Sequence, residues 1–217
     1  MLSNWETSKA KSNYHFDSKR QDNPNDVMQY LGYVEPTWID DLSAIVDNAR
    51  PATWATRGYK GEGIEAPRED LAMEEYDLIR HGMSKDLPIT HLNWRIPSSL
   101  QKLSDEFGLE DCMNRIHVQM PGEVWNLHLD KLQKWAPNNP ASVMRIMIQL
   151  TDWAPGQFWE YGNYHYYQWR AGDITTFDWA NIPHCTANAG FHPRVTFQIT
   201  GVVTEKTQTT LNKLQHG

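Results

Sequence analysis

The spacing of hydrophobic positions changes near residue 114. Before it, apolar residues recur at helical intervals, and after it they form short alternating or continuous runs separated by turn residues. Many short strands joined by such turns predict a mainly β fold with flanking helices and a jelly-roll or barrel core. The strand-like runs are residues 115–120, 143–150, 164–169, 174–177 and 195–203.

The half of the chain before residue 114 has three segments with helical patterns. Residues 40–50 have apolar side chains at three helical positions after two aspartates, and residues 67–79 begin with a proline followed by acids. Residues 98–107 end at Gly108, a typical helix stop. The glycines of residues 55–63 predict a loop. Two basic residues in it, Arg57 and Lys60, are weak candidates for substrate contact, and a solvated loop is the plainer interpretation.

A chain of 217 residues is long enough for one domain with a substantial core. The polar residues 1–25 are expected to form a flexible arm. Residues 26–113 are expected to form a helical support region of the same domain, and residues 114–203 the catalytic core. Residues 204–217 are expected to form a C-terminal tail.

Composition narrows the functional classes. A net charge of −7 makes nucleic-acid binding through phosphate contacts an unfavoured function. The two cysteines, Cys112 and Cys185, do not form a disulfide framework, which favours a reducing compartment. The sequence has no apolar run of membrane-spanning length and no signal-peptide pattern, so we expect a cytoplasmic protein without a membrane partner.

The strongest chemical signal is a spaced set of two histidines and one aspartate. His128 and Asp130 are two residues apart, so on a strand their side chains point to one face. His184, which follows a strand pattern and a proline, is the best distant partner. Two imidazoles and one carboxylate on one face of an octahedron are the facial triad of non-haem Fe(II) oxygenases. His117 is the main rival as a ligand, because it lies on the preceding strand.

Arg194 adds a second feature to the same half of the chain. It follows His184 by ten residues and begins a strand-like run. A guanidinium binds a carboxylate through two parallel hydrogen bonds and stays charged. It could therefore hold the far carboxylate of a dicarboxylic keto acid, whose other end would occupy open metal positions together with dioxygen.

These motifs together resemble a known family. His128-Leu-Asp130, the segment Gly172-Asp-Ile-Thr-Thr-Phe-Asp178, Pro183-His184 and Arg194 look like the 2-oxoglutarate/Fe(II)-dependent dioxygenases. The nearer resemblance is to the aspartyl/asparaginyl β-hydroxylase-like branch, over roughly residues 114–203. The best-known β-hydroxylases of that branch lack the carboxylate ligand, so Asp130 is a departure from the branch pattern.

The resemblance implies a fold, a ligand set and a reaction. The fold would be a double-stranded β-helix, similar to a cupin, and the cofactors would be Fe(II), 2-oxoglutarate and O2. His128, Asp130 and His184 would hold the metal, and Arg194 would anchor the co-substrate. Arg145 resembles a basic residue that some members place near the keto acid. The reaction would hydroxylate an unactivated C–H bond of a small molecule or a peptide or amino-acid side chain, with release of succinate and CO2.

Two alternatives remain at the level of sequence. A cupin-type metal enzyme without 2-oxoglutarate would need no Arg194 and usually uses a third or fourth histidine. A non-enzymatic β-sandwich could bind its partner through aromatic side chains, since the chain has ten tryptophans. Candidates for orienting the ligands or contacting substrate are Gln119, Trp125, Asn126 and Trp179.

Overall fold

The computed structural model describes residues 27–53, 59–60, 63–64, 87–130, 132 and 135–216. Within these residues the α-helices are α1 (Leu42–Asn48), α2 (Ser98–Phe107) and α3 (Glu205–His216), and short 3-10 turns cover Ile39–Asp41 and Pro140–Ser142. The strands before the metal motif are β1 (Met28–Tyr33), β2 (Arg50–Thr53), β3 (Tyr59–Lys60), β4 (Gly63–Ile64), β5 (Pro88–Asn93) and β6 (Glu110–Gln119). The later strands are β7 (Val124–His128), β8 (Val143–Gln149), β9 (Gln157–Tyr161), β10 (Tyr164–Tyr166), β11 (Asp173–Phe177), β12 (His184–Asn188) and β13 (Arg194–Val202).

Two antiparallel sheets make up the body of the protein. The larger sheet has seven strands in the order β1-β11-β8-β13-β6-β5-β2, and the smaller has four in the order β10-β9-β12-β7. Because most neighbours in each sheet are distant in sequence, the sheets form by long-range pairing rather than by simple hairpins. This arrangement is that of a double-sheet jelly roll.

Side chains alternate across the central strands of the large sheet, as the two-residue strand period requires. One face is apolar and packs against the helices through a core that includes Ile116, Val118, Ile146, Ile148, Val195, Phe197 and Ile199. The opposite face is buried but polar, with Arg115, His117, Gln119, Arg145, Gln149, Arg194, Thr196, Gln198 and Thr200. A chamber lined by polar groups therefore lies on the side of the sheet away from the helices.

The four-stranded sheet covers this polar face. The amide of Gln119 on β6 donates to the hydroxyl of Thr186 on β12 at 3.0 Å, which joins the two sheets directly. A second, aromatic-rich core lies on the β8–β11 side and includes Trp159, Tyr161, Tyr166, Trp169, Phe177 and Trp179. Several aromatic residues that, from the sequence alone, could have formed a binding surface therefore belong to the hydrophobic core.

The expected helical support region is only partly helical. β1, β2 and β5 come from it and extend the large sheet on both sides, β1 by pairing with β11 and β5 by pairing with β6. The prediction missed these strands because segments of four to six residues are too short to show a clear periodicity of hydrophobic positions. Their extended form depends on the strand with which each one pairs. The segment expected to form a C-terminal tail contains α3, which packs on α2 and β1.

The helix predicted over residues 98–107 is confirmed as α2. Gly108 ends it with a φ of 66° in the left-handed region. The helix expected over residues 40–50 is shorter, since a 3-10 turn precedes α1. Asp41 does not cap it with its side chain, because its carboxylate accepts a hydrogen bond from Ser99 Oγ at 2.9 Å.

Some predictions fall outside the described residues. These are the arm over residues 1–25, the helix over residues 67–79 and Arg57. Where the predicted loop over 55–63 is described, it is extended: Lys60 pairs with Gly63 in the β3–β4 ladder. No helix in the described part of the chain is long and apolar enough to cross a membrane.

Gly172 offers a test of the packing between β1 and β11. Its φ is +100°, and a Cβ there would lie 2.1 Å from the Val34 carbonyl oxygen. Gly122 also has a positive φ, +89°, but a Cβ there would meet nothing within 4 Å. We expect Gly172→Ala to reduce the free energy of unfolding by about 3 kcal/mol or more and Gly122→Ala by about 1 kcal/mol, since only the first adds a clash to the backbone strain. Urea denaturation measures both, and equal losses would contradict this packing.

Candidate metal centre

The pairing of β12 with β7 brings the two predicted histidine ligands together. His184 and His128 are directly opposite each other in the register of these strands. Both are buried, and their ring centroids are 4.3 Å apart. Opposed residues of an antiparallel pair lie on the same face of the sheet, so both imidazoles point into the chamber.

Asp130 lies two residues beyond His128, just past the end of β7. Its backbone N–H donates to the Trp179 carbonyl oxygen at 3.3 Å, which holds this segment beside the loop that leads into β12. One carboxylate oxygen is 3.7 Å from His128 Nε2, and the other is 3.7 Å from His184 Nε2. A potential ligand atom from each of the three residues lies within 4.8 Å of the others.

Backbone carbonyls orient both imidazole rings. His128 Nδ1 is 2.8 Å from the Asn126 oxygen, and His184 Nδ1 is 3.3 Å from the Ile182 oxygen. In the neutral ring Nδ1–H donates to the carbonyl, and the lone pair of Nε2 then faces Asp130. Metal-binding histidines are usually fixed in this way through their second nitrogen. The donor set therefore fits a divalent transition metal.

The local charges favour the protonation states that bind a metal. Burial lowers the pKa of His184, and Arg145 lowers it further against the opposing pull of Asp130. Burial acts to raise the pKa of the Asp130 carboxyl, but Arg145 and the two histidines outweigh it and hold that pKa below its usual range. The His184 imidazole is thus neutral and the Asp130 carboxylate ionised at neutral pH, and these are the forms that coordinate metals.

A narrow pocket with a cavity volume of about 30 Å³ lies beside the three residues. Its walls include His128, Asp130 and His184 as well as Arg194, His117 and Trp125. The metal-ligand set and the predicted anion-binding arginine therefore share one pocket.

Arg194 is the first residue of β13 and is 3% exposed. Its Nε donates to Gln119 Oε1 at 3.2 Å, and its Cζ lies 4.3 Å from the centre of the Trp159 ring. Burial lowers the pKa of the guanidinium to about 10, which still leaves it charged at neutral pH. No carboxylate among the described residues forms an ion pair with it. Among the described residues its contacts are the Gln119 amide, the Thr196 hydroxyl and the Trp159 ring, none of which is charged. A buried cation with such partners fits an anionic ligand.

Arg145, the other predicted co-substrate contact, is placed differently. Its Nη1 forms an ion pair with Asp130 Oδ2, and its Nε donates to Thr200 Oγ1 at 3.2 Å. The guanidinium lines the pocket, but its closest partner is the candidate metal ligand.

His117 lines the same pocket but does not belong to the three-residue cluster. Its ring stacks on Trp125 at 5.2 Å, and Trp125 stacks on His128 at 5.4 Å. Burial, followed by the charges of Arg115, Arg145 and Arg194, holds the pKa of His117 well below its usual value. It is therefore a neutral group with a buried Nε2 that has no hydrogen-bond partner among the residues that the structure describes.

Sequence reasoning identified some supporting residues and missed others. Gln119 does support Arg194, but Asn126 and Trp179 act through their backbone carbonyls. Trp159 under Arg194 and Thr200 behind Arg145 were missed. The alternation of side chains along β9 and β13 places Trp159 and Thr200 in the chamber. The sequence alone does not show which face of each strand points inward. On a regular strand the residue after His184 points away from the metal. Cys185 is nevertheless half-buried and forms part of the pocket wall.

Comparisons with known proteins identify the fold. No protein-family model matches the sequence, and no curated protein matches it. Among solved structures, a Pseudomonas putida prolyl-4-hydroxylase aligns with 93% of this chain and 99% of its own, with a TM-score of 0.50 and 14% sequence identity. The fold is a double-stranded β-helix.

Cupin-barrel proteins align over shorter parts of the chain. A cupin 2 conserved barrel domain protein from Salinispora arenicola covers 57% of this chain and 84% of its own, with a TM-score of 0.33 and 11% identity. A predicted oxalate decarboxylase from Thermotoga maritima covers 52% and 81%, with a TM-score of 0.34 and 11% identity. At 14% identity the likeness to the prolyl-4-hydroxylase concerns the fold alone. None of these relatives supports the aspartyl/asparaginyl β-hydroxylase-like branch, which stays a sequence-based prediction.

The geometry distinguishes His128 from His117 as a ligand. We expect His128→Ala to weaken Co(II) binding at least about 100-fold, because it removes one of three coordinating groups, and His117→Phe to change it less than about 3-fold. Isothermal titration calorimetry under anaerobic conditions measures both affinities. Comparable losses in the two variants would show that His117 coordinates the metal.

Proposed function

We propose that this protein is an Fe(II)- and 2-oxoglutarate-dependent oxygenase that hydroxylates an unactivated C–H bond and releases succinate and CO2. The observation that carries the proposal is the coexistence of two features in one pocket. The ligand atoms of His128, Asp130 and His184 converge there, and Arg194 places a buried guanidinium in the same space without a carboxylate partner among the described residues.

Each half of this arrangement matches one end of the co-substrate. Three protein ligands on one face of an octahedral metal leave three positions, two for a chelating keto acid and one for dioxygen. Arg194 would bind the far carboxylate through a charge-assisted pair of hydrogen bonds. Bound together, Fe(II), 2-oxoglutarate and O2 supply oxidative decarboxylation of the keto acid coupled to hydroxylation of the substrate.

The chain's own residues would position the co-substrate and shield it from water. Gln119 and Trp159 fix the direction of the Arg194 guanidinium before any ligand arrives, so little conformational entropy is lost on binding. Trp125 and Phe177 form apolar parts of the pocket wall. Excluding water from this chamber strengthens the attraction between Arg194 and a carboxylate.

The substrate and the cellular setting belong to the same proposal. We expect a small molecule, or a peptide or amino-acid side chain, to present its C–H bond at the open end of the pocket. Both cysteines of the chain are free thiols, which is consistent with a reducing, cytoplasmic location.

A second candidate function rests on His117. A neutral, buried histidine beside the metal cluster is what a cupin-type metal enzyme without 2-oxoglutarate would place there. That enzyme would have no use for Arg194 as an anion anchor. Formation of succinate from 2-oxoglutarate therefore separates the two functions.

The role of Arg194 provides the test of the proposal. We expect Arg194→Met to raise the dissociation constant of 2-oxoglutarate for the Fe(II)-loaded protein about 100-fold, as loss of a charge-assisted bidentate contact would, while Fe(II) affinity stays within about 3-fold. Anaerobic titration calorimetry measures both constants. Arg170, whose side chain is 66% exposed, provides the control variant Arg170→Met, which should change neither. Unchanged 2-oxoglutarate affinity in Arg194→Met, or no 2-oxoglutarate binding by the wild type, would contradict the proposal.

A further inference from the structure

Arg145 is held in a single position by contacts on several sides. Its side chain is 6% exposed and that of Asp130 is 12% exposed, so the ion pair between them is largely removed from water. Thr200 Oγ1 accepts a hydrogen bond from Arg145 Nε at 3.2 Å. The hydroxyl of Thr176 donates to the Arg145 backbone oxygen at 2.8 Å, which ties the strand itself to β11.

The two oxygens of Asp130 therefore have different surroundings. Oδ2 accepts a hydrogen bond from Arg145 Nη1 and also lies 3.7 Å from His184 Nε2. Oδ1 lies 3.7 Å from His128 Nε2 and accepts no hydrogen bond from the described part of the chain. A hydrogen bond from a charged donor is roughly twice as strong as one from a neutral donor, so the single contact from Arg145 Nη1 restricts the orientation of Oδ2.

We propose that Arg145 is a positioning residue for Asp130 rather than a contact to the co-substrate: it retains Oδ2, so that Asp130 offers the metal only Oδ1. The inference rests on the proposed metal centre and goes beyond it by assigning a coordination mode and the residue that sets it. It replaces the co-substrate role that the sequence resemblance suggested for Arg145.

The coordination mode matters because the number of open positions depends on it. A carboxylate that binds through both oxygens takes two positions, so two histidines and Asp130 would then occupy four of six and leave two. Binding through Oδ1 alone leaves three. A chelating keto acid and dioxygen together need three positions. By retaining Oδ2, Arg145 thus keeps the third coordination position free, and dioxygen requires this position in addition to the two that the keto acid would take.

The position of Arg145 on its strand also argues against a role at the far carboxylate. In the β8–β13 register Arg145 is opposite Thr200, six residues along β13 from Arg194. At roughly 3.3 Å per residue, the backbones of the two arginines are about 20 Å apart along the sheet. They approach the chamber from opposite ends, and each has a different partner: Asp130 for Arg145, and an anionic ligand for Arg194.

The test uses three variants of the full chain. Arg145→Met removes the guanidinium, and Arg145→Lys keeps a charge but not the planar donor group. Thr200→Val removes the hydroxyl that accepts hydrogen bonds from Arg145 Nε and from Gln198 Nε2. Co(II) is the probe, since the intensity of its visible absorption bands reports coordination number and its affinity can be titrated without turnover. The affinity of 2-oxoglutarate for the metal-saturated protein is measured in parallel under anaerobic conditions.

We expect Arg145→Met to weaken Co(II) binding about 10- to 100-fold, the usual effect of losing a group that orients a metal ligand, and to alter the Co(II) spectrum. Thr200→Val should shift both in the same direction by a smaller amount, and Arg145→Lys should restore part of the affinity. The affinity of 2-oxoglutarate should stay within about 3-fold in all three variants.

Other outcomes would overturn the assignment in distinguishable ways. An unchanged Co(II) affinity and spectrum in Arg145→Met, combined with a tenfold loss of 2-oxoglutarate affinity, would return Arg145 to the co-substrate. Failure of the wild type to bind Co(II) or Fe(II) would instead overturn the metal centre itself. If Arg145→Met does not fold because Asp130 is left as an unpaired buried charge, the double variant Asp130→Asn/Arg145→Met should recover folding, and Thr200→Val still decides the question.

Discussion

The pairing of β7 with β12 is the constraint on which the rest of the site depends. It sets His128 directly opposite His184, and it brings the segment that carries Asp130 against the loop at Trp179. Neither strand could do this alone, because the two histidines are 56 residues apart in the sequence. The two sheets hold these residues in place. The large sheet buries its apolar face against the helices, and its polar face lines the chamber.

The electrostatics of the chamber follow from the same arrangement. Burying a charge is costly unless a partner is available, and the chamber contains Asp130 together with several arginines. Asp130 and Arg145 satisfy each other, which keeps the carboxylate ionised. Arg194 is held by Gln119 and the Trp159 ring, an arrangement that maintains its orientation without neutralising it. This arrangement supports the proposal that Arg194 binds an anionic ligand.

The sequence was informative wherever a short spacing determined the geometry. His128 and Asp130 could be assigned to one face because the strand period is two, and Arg194 could be placed at the start of a strand from the apolar run that follows it. The helix ending at Gly108 was predictable for the same local reason.

Features that depend on distant partners were beyond the sequence. β1 and β5 are strands because β11 and β6 offer them free edges, and nothing within those six-residue segments requires it. Arg145 appeared suitable for a keto acid until the β8–β13 register placed it beside Asp130 and Thr200. His117 was the main rival of His184 from the sequence, and only the structure shows that its ring stacks on Trp125 and lies outside the three-residue cluster.

If the proposed function is right, one pocket binds Fe(II) and a keto acid together. Anaerobic titration of the purified protein with Fe(II) and then with 2-oxoglutarate tests this binding. Chelation of a keto acid to Fe(II) produces a weak charge-transfer band in the visible range. We predict that the band appears in the wild-type protein with one equivalent of each ligand and is absent in His128→Ala. Iron binding without the band would contradict the account and favour a cupin-type enzyme, and absence of iron binding would contradict the metal centre altogether.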